Sequence, residues 1–278
     1  MIARKKFLAT LLPIFFLGAI AISSLALIRF LQRSRNRSLV TRFLQQHPMK
    51  SLGIIMDGNR RWARRQGFKP WIGHRHGVEP VKATVQFCLN HKIPHLTLFT
   101  ISLENLSRPP EELQYLFDVL AQEIAGSFFD SLHEHGVRVR FIGDRSRFPE
   151  KLVPLIADIE AKTTHNDKLN LNLLFCYGGQ QEIVAAAIEL HKRVQQGAIT
   201  PENVTGKSFE QCLWSADIRP FDLIIRAGGE LRLSGFGLYH AAYSEFYFTN
   251  TYWPDFNERL LLDALADFMK RERRFGVK

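Results

Sequence analysis

The sequence predicts an α/β fold: a single domain with a mainly parallel central sheet flanked by helices, preceded by an N-terminal transmembrane helix. Three observations carry this. Short β-rich runs alternate with helical patterns along most of the chain. The 278 residues are 46% hydrophobic and 12% aromatic, enough for one sizeable core and too apolar for disorder. A run of 22 residues from Phe7 to Ile28 carries no charge.

That run would span about 33 Å as a helix, against a hydrocarbon core of about 30 Å. A signal peptide is the competing reading, because small-residue sites occur at Ala19-Ile20-Ala21 and Ser24-Leu25-Ala26. The run is long for a signal peptide, and the segment after it is arginine-rich, which favours retention on the cytoplasmic side. Residues 1–50 are therefore expected to be a membrane anchor and a basic juxtamembrane linker near lipid headgroups. Residues 51–278 are expected to be the folded domain, in the cytoplasm.

The formal charge of +10 first suggests nucleic acid. Residues 1–50 hold nine of the basic groups and no Asp or Glu, so the remaining 28 basic groups face 27 acidic ones. A nearly neutral domain disfavours a nucleic-acid footprint. Cys88, Cys176 and Cys212 are scattered and form no CxxC, which argues against a disulfide framework or a zinc site.

In chain order, strands are expected at Leu52–Met56, His95–Ile101, Val137–Ile142, Leu169–Cys176 and Leu223–Arg226. Helices are expected at Val78–Asn90, Pro110–His135, Pro149–Thr164 and Gln180–Gln196, with a shorter one near Lys207–Trp214 and a last at Phe256–Arg274. Strands alternating with helices of this length indicate βα units and a parallel sheet covered on both faces. Ligands of such sheets bind outside the carboxyl ends of the strands.

The first strand runs into Asp57-Gly58-Asn59-Arg60-Arg61-Trp62. Backbone N–H groups in the turn and two guanidiniums suit diphosphate oxygens, and Asp57 suits a Mg²⁺ bridging them. The bland alternative is an ordinary turn with solvated arginines. A phosphatase DxDG pattern is excluded, because the nucleophile's position is Ile55. The second strand runs into Ser102-Leu103-Glu104-Asn105-Leu106-Ser107-Arg108-Pro109-Pro110, where helix capping and a surface ion pair are the alternative. The late strand gives Arg226-Ala227-Gly228-Gly229-Glu230-Leu231-Arg232-Leu233-Ser234. Its glycines let backbone approach a ligand. An arginine ending an apolar strand needs an anionic partner.

Together with Gly67…Gly73-His74, Tyr177-Gly178-Gly179, 242–248, 252–256 and 271–276, these segments resemble the cis-prenyltransferases from about Leu52 to Gly276. The resemblance implies condensation of isopentenyl diphosphate with an allylic diphosphate such as farnesyl diphosphate, with Mg²⁺, in a homodimer. It implies that Asp57 holds Mg²⁺ and that Gly58, Asn59, Arg60, Arg61, Trp62 and Arg108 surround the allylic diphosphate. Arg226, Arg232 and Ser234 would bind the second diphosphate. Glu245 would be a further metal or substrate-ordering carboxylate near a dimer interface. His74, Ser102, Glu104 and Asn105 would line the reacting centre, Asn105 being one candidate route for the proton.

Two positions depart from the family. Pro70 stands where bacterial members usually carry an arginine, with Lys69 or Arg75 as the candidate replacement, and Leu106 stands where the family usually has a tryptophan. The chain has no Asp-Asp pair, which excludes the all-helical synthases built on Asp-Asp-x-x-Asp. The growing product needs an apolar tunnel, expected from Val81, Val85, Leu113, Leu116, Phe117, Leu120, Ile124 and Phe128, with Leu169 at the far end. The competing function is a membrane-anchored, non-catalytic subunit of a prenyltransferase complex, against which stand the retained Asp57, Asn59, Arg226, Arg232 and Ser234.

Overall fold

A computed structural model describes residues 37–271. The sheet has six parallel strands: β1 (Leu52–Ile55), β2 (His95–Ser102), β3 (Val137–Ile142), β4 (Leu169–Tyr177), β5 (Leu223–Arg226) and β6 (Glu245–Phe248). Their order is β3-β4-β2-β1-β5-β6. Helix α1 covers 37–46. The others are α2 (Asn59–Arg65), α3 (Ile72–His76), α4 (Val78–Asn90), α5 (Pro110–Ala125), α6 (Ser127–Glu134), α7 (Val153–Thr163), α8 (Gly179–Gln195), α9 (Gly206–Glu210) and α10 (Glu258–Phe268).

The strands are apolar on both faces where helices cover them, as a parallel sheet requires. Ile54, Leu98, Leu173 and Ile225 enter the larger core. Ile55, Leu174 and Ile224 point the other way and pack with Phe236. The register aligns Ile55 with Phe99 and with Arg226, so β1 and β5 end level while β2 runs on to Ser102. Near its end β2 shifts register against β4, at Ile101 and again at Ser102. Such irregularities re-aim side chains beside functional sites.

The expected strands are all present, within two residues at their ends. β6 was missed: it is four residues long and joins β5 through a loop with no helix. The helix expected over Pro110–His135 divides at Gly126, whose φ of −90° and ψ of 175° are extended. The short helix α2 follows directly on the expected turn, α3 falls where no element was expected, and the end of the last expected helix falls outside the described residues.

The expected anchor gains no support. Among the described residues no helix is long and apolar enough to cross a membrane, and Phe7–Ile28 lies outside them. The reading of a membrane-anchored chain with a cytoplasmic domain, and of a transmembrane helix, is corrected on that finding. The linker reading changes too, because α1 buries Val40 and Leu44 in the main core and Arg37 pairs with Glu258 at 3.1 Å. The folded unit therefore takes in residues before Ser51. Leu44→Ala should cost about 2–4 kcal/mol of unfolding free energy. Urea unfolding measures it, and a loss near zero would show α1 to be an appendage.

Candidate active site

β1 delivers Asp57 just beyond its last residue. Gly58 then takes φ 99°, and a Cβ there would stand 2.6 Å from the Tyr252 ring, so only glycine fits between the strand and α2. Asp57 accepts hydrogen bonds on both oxygens. Oδ1 takes the Gly58 N–H at 2.5 Å and faces Arg61 Nη2 at 3.2 Å; Oδ2 takes Arg226 Nη2 at 3.0 Å. The carbonyl of Asp57 receives the Trp253 N–H at 2.9 Å, and the Trp253 indole donates to the Gly77 carbonyl at 2.8 Å.

Arg226 ends β5 with its side chain 4% exposed. Its other nitrogen donates to Ser234 Oγ at 2.9 Å and to the Arg232 carbonyl. Arg61 continues to Glu230 at 3.1 Å, and Glu230 holds Arg232 at 2.6 Å. Gly228 lets the late loop pass close, since a Cβ there would meet Arg61 Nη2 at 2.9 Å.

A second cluster centres on Glu112 in the first turn of α5, with its side chain 1% exposed. Its Oε1 stands 3.4 Å from Arg60 Nε, 3.4 Å from Arg108 Nη1 and 3.9 Å from His74 Nε2. Burial, then Arg108 and Arg60, push the His74 imidazole down to about 3, so it is neutral near pH 7. Ser102 and Asn105 form a reciprocal cap, Asn105 N–H to Ser102 Oγ and Ser102 N–H to Asn105 Oδ1, both at 3.2 Å. Capping was the bland alternative at this spot, and it is realised on the cavity wall.

These groups share one cavity of about 980 Å³. Its polar end holds Asp57, Gly58, Asn59, Arg60, Arg61, His74, Ser102, Glu104, Asn105, Arg108, Arg226 and Ser234. Its apolar reach is lined by Val81, Leu116, Leu120, Phe128, Leu173 and Phe175. Val85, Leu113, Phe117, Ile124 and Leu169 are not on the wall; Val85 and Leu169 are buried in the core. Seven buried side-chain polar atoms in the described residues lack a hydrogen bond, and five of them belong to Asn59, Arg60, His74, Glu112 and Arg226. Arg60 Nε and Arg226 Nε among them are donors, for which an anion in the cleft would supply acceptors; Asn59 Oδ1 and Glu112 Oε1 are acceptors and do not add to that demand.

Three expected residues are not brought in. Trp62 turns away to donate to Asp255 at 2.8 Å and stacks near His76. Arg232 stands off the wall with its side chain 62% exposed. Glu245 starts β6 level with Leu223 and Leu52, three residues below the Ile55–Arg226–Phe248 row, or about 10 Å along the strands. It is held by Arg271 at 2.8 Å, so within one chain it shares no cation with Asp57. Neither Lys69 nor Arg75 lines the cavity; Arg64 does.

The residues fit a Mg²⁺ of one particular kind. Among the described residues no cluster of three His, Cys, Asp or Glu could cage a metal. Mg²⁺ keeps waters and is commonly held by one or two carboxylates plus substrate phosphates. Asp57, on the cavity wall beside arginines, suits that arrangement and no all-protein site.

Sequence reasoning missed Glu112, Glu230, Trp253 and Arg64. Glu112 was signalled by its place four residues after Arg108, but nothing in the sequence reported its burial.

A strand-tip carboxylate and converging arginines above an apolar cavity define a diphosphate-handling α/β enzyme. The sequence profile described as "Putative undecaprenyl diphosphate synthase" matches residues 55–276. The chain is 42% identical over 237 residues to the ditrans,polycis-undecaprenyl-diphosphate synthase ((2E,6E)-farnesyl-diphosphate specific) of Salmonella paratyphi A, covering 85% of this chain and 94% of that protein. It is 42% identical over 233 residues to the enzyme of the same description from Escherichia coli K12, covering 84% and 92%. The crystal structure of lavandulyl diphosphate synthase from Lavandula x intermedia in complex with dimethylallyl diphosphate superposes with a TM-score of 0.79 at 34% identity, over 82% of this chain and 98% of that one. The chain belongs to the undecaprenyl diphosphate synthase family of cis-prenyltransferases. Its activity is that of a transferase in cis-prenyl chain elongation, and the accessory-subunit alternative is not favoured.

Two outcomes test the cluster. Glu112→Gln should cost about 1–2 kcal/mol in urea unfolding, because a buried carboxylate's charge-assisted contacts to the partly exposed Arg60 and Arg108 are lost; a loss below about 0.5 kcal/mol would make it an ordinary surface pair. His74 binds its proton in the unfolded chain near 6.5 and in the folded chain only near 3. Stability should therefore fall as pH drops through that window, by about 2 kcal/mol between pH 7 and 5 from this group. The loss should be smaller by that amount in His74→Asn.

Proposed function

We propose that this cavity joins isopentenyl diphosphate to an allylic diphosphate, farnesyl diphosphate being the starter its curated relatives are named for. The observation that carries the reading is Asp57 held between Arg61 and Arg226 in a cleft that continues into apolar space. The Asp57–Gly58–Asn59–Arg60–Arg61 turn with Arg108 takes the allylic diphosphate. Arg226 and Ser234, with Arg232 from the rim, take the second. Guanidiniums match diphosphate oxygens in pairs, which fixes both substrates against one another.

The C1–O bond of the allylic substrate breaks, the double bond of isopentenyl diphosphate supplies the electron pair for the new C–C bond, and a C2 proton leaves. The arginines stabilise charge that grows on the departing diphosphate at the polar end of the cavity. Mg²⁺ held by Asp57 and diphosphate oxygens would supply further neutralisation. Neutral His74 adds no positive charge beside the allylic cation. Asn105 accepts the Ser102 N–H on its side-chain oxygen and so orients the loop; a diphosphate oxygen, or Asn105 through water, is the acceptor this reading offers the departing proton. The apolar reach receives the product's hydrocarbon tail.

We also propose a homodimer through the open edge of β6, where Phe248 and nearby Tyr243 are exposed. Sedimentation of the full chain measures it. A dimer would leave room for Glu245 to act toward a neighbouring subunit.

Asp57→Ala should lower incorporation of labelled isopentenyl diphosphate at least ~100-fold while thermal unfolding stays cooperative. Near-normal turnover in the folded variant would remove the central role given to this carboxylate.

A further inference from the structure

The apolar reach of the cavity contains a charge that the elongation chemistry does not use. Glu123 lines it, eleven residues and about 16 Å along α5 from Glu112 at the polar end. Its neighbours on the wall are Val119, Leu120 and Phe128. A carboxylate is a poor lining for a hydrocarbon, because apolar contact strips its water and returns nothing.

Its charge is met from the neighbouring helix. Lys82 Nζ reaches from α4 to within 3.5 Å of Glu123 Oε2, stands 3.1 Å from Glu79 Oε1, and lies 5.3 Å from the Phe128 ring centroid. Lys82 follows Val81 and comes one turn after Val78, both on the wall. Glu123 is on the cavity wall, Lys82 pairs with it from α4, and the two side chains are 34% and 29% exposed. Just beyond it α5 ends and Gly126 turns extended. The ion pair thus spans the seam between α4 and α5 where helical cover stops.

We propose that the Lys82–Glu123 pair is a length-determining closure: the growing hydrocarbon fills the apolar reach until it meets this pair, and elongation stops there. The inference rests on the reading of the cavity as the product passage. Burying each added five-carbon unit is favourable while the wall is apolar. At the pair, the next unit must displace water from two charges or part them, and the gain disappears. The pair therefore selects product length without touching the reacting atoms.

The test uses the full chain with farnesyl diphosphate, labelled isopentenyl diphosphate and Mg²⁺, and resolves dephosphorylated products by reversed-phase chromatography. The double variant Lys82→Met/Glu123→Leu removes both charges and leaves neither unpaired. Its main product should be longer by one or more five-carbon units. Unchanged or shorter products from a folded double variant would overturn the proposal. If that variant does not fold, Glu123→Gln, which keeps shape, should also raise the mean product length, and an unchanged distribution counts against the closure. Val119→Phe separates the two levels of the argument. Shorter products from Val119→Phe beside wild-type lengths from the double variant sink the closure alone. Wild-type lengths from both sink the passage itself.

Discussion

Arg226 ends an apolar strand with its side chain 4% exposed, so its charge must be answered inside the protein. Asp57 and Ser234 answer it, from positions 169 residues before and eight after. That contact needs β1 beside β5 in matched register, with Ile55 opposite Arg226. It also needs a late loop that passes close enough for Gly228 to crowd Arg61, and a Trp253 backbone N–H to hold the Asp57 carbonyl. A buried ion pair of this kind contributes little net stability, because desolvation offsets attraction. Its effect is to fix where two guanidiniums and one carboxylate stand before any substrate arrives.

The Glu112 cluster solves the complementary problem. Arg60 and Arg108 repel one another, and His74 would add a third charge if protonated. One buried carboxylate draws the two arginines together without neutralising both. The mouth of the cavity therefore keeps a surplus of positive charge and unfilled hydrogen-bond capacity, which is what a polyanion recognises. Neutral His74 follows first from its burial and then from the same crowding: the arginines that prepare the site for phosphate also disfavour charge on the imidazole.

Much of this was legible in the sequence, for a definable reason. β-rich runs such as Leu223–Arg226 have buried both-sided patterns, and strand tips in parallel sheets carry the chemistry, so Asp57, Asn105 and Arg226 could be placed before any coordinates. What was not legible depends on direction and depth. Trp62 follows the two site arginines, yet helix α2 turns it outward toward Asp255. Glu245 sits in a motif-rich segment, but it begins β6 rather than ending it, which puts it at the wrong end of the sheet. Arg108 and Glu112 are four apart, a spacing shared by every solvated helix pair, and only packing reveals that this one is buried. The tunnel was half legible: an amphipathic stripe tells which residues face inward, not which of them face a void.

The break at Gly126 joins the two halves of the molecule's function. Continued to His135, α5 would have stayed on the same line past Glu123, and its apolar stripe would have extended the wall. Instead the chain turns extended at Gly126 and restarts as α6, placing Phe128 and Phe129 across the end of the cavity. Phe128 then stands beneath the Lys82 ammonium, where the ring face meets positive charge favourably. A glycine at that point thus converts a long helical groove into a bounded space. The polar end of that space is set by arginines held from β1, β5 and α5, and its far end by one lysine–glutamate contact between neighbouring helices. A cis-prenyltransferase needs both ends defined, because the chemistry repeats identically at the first and only the second can count the repeats.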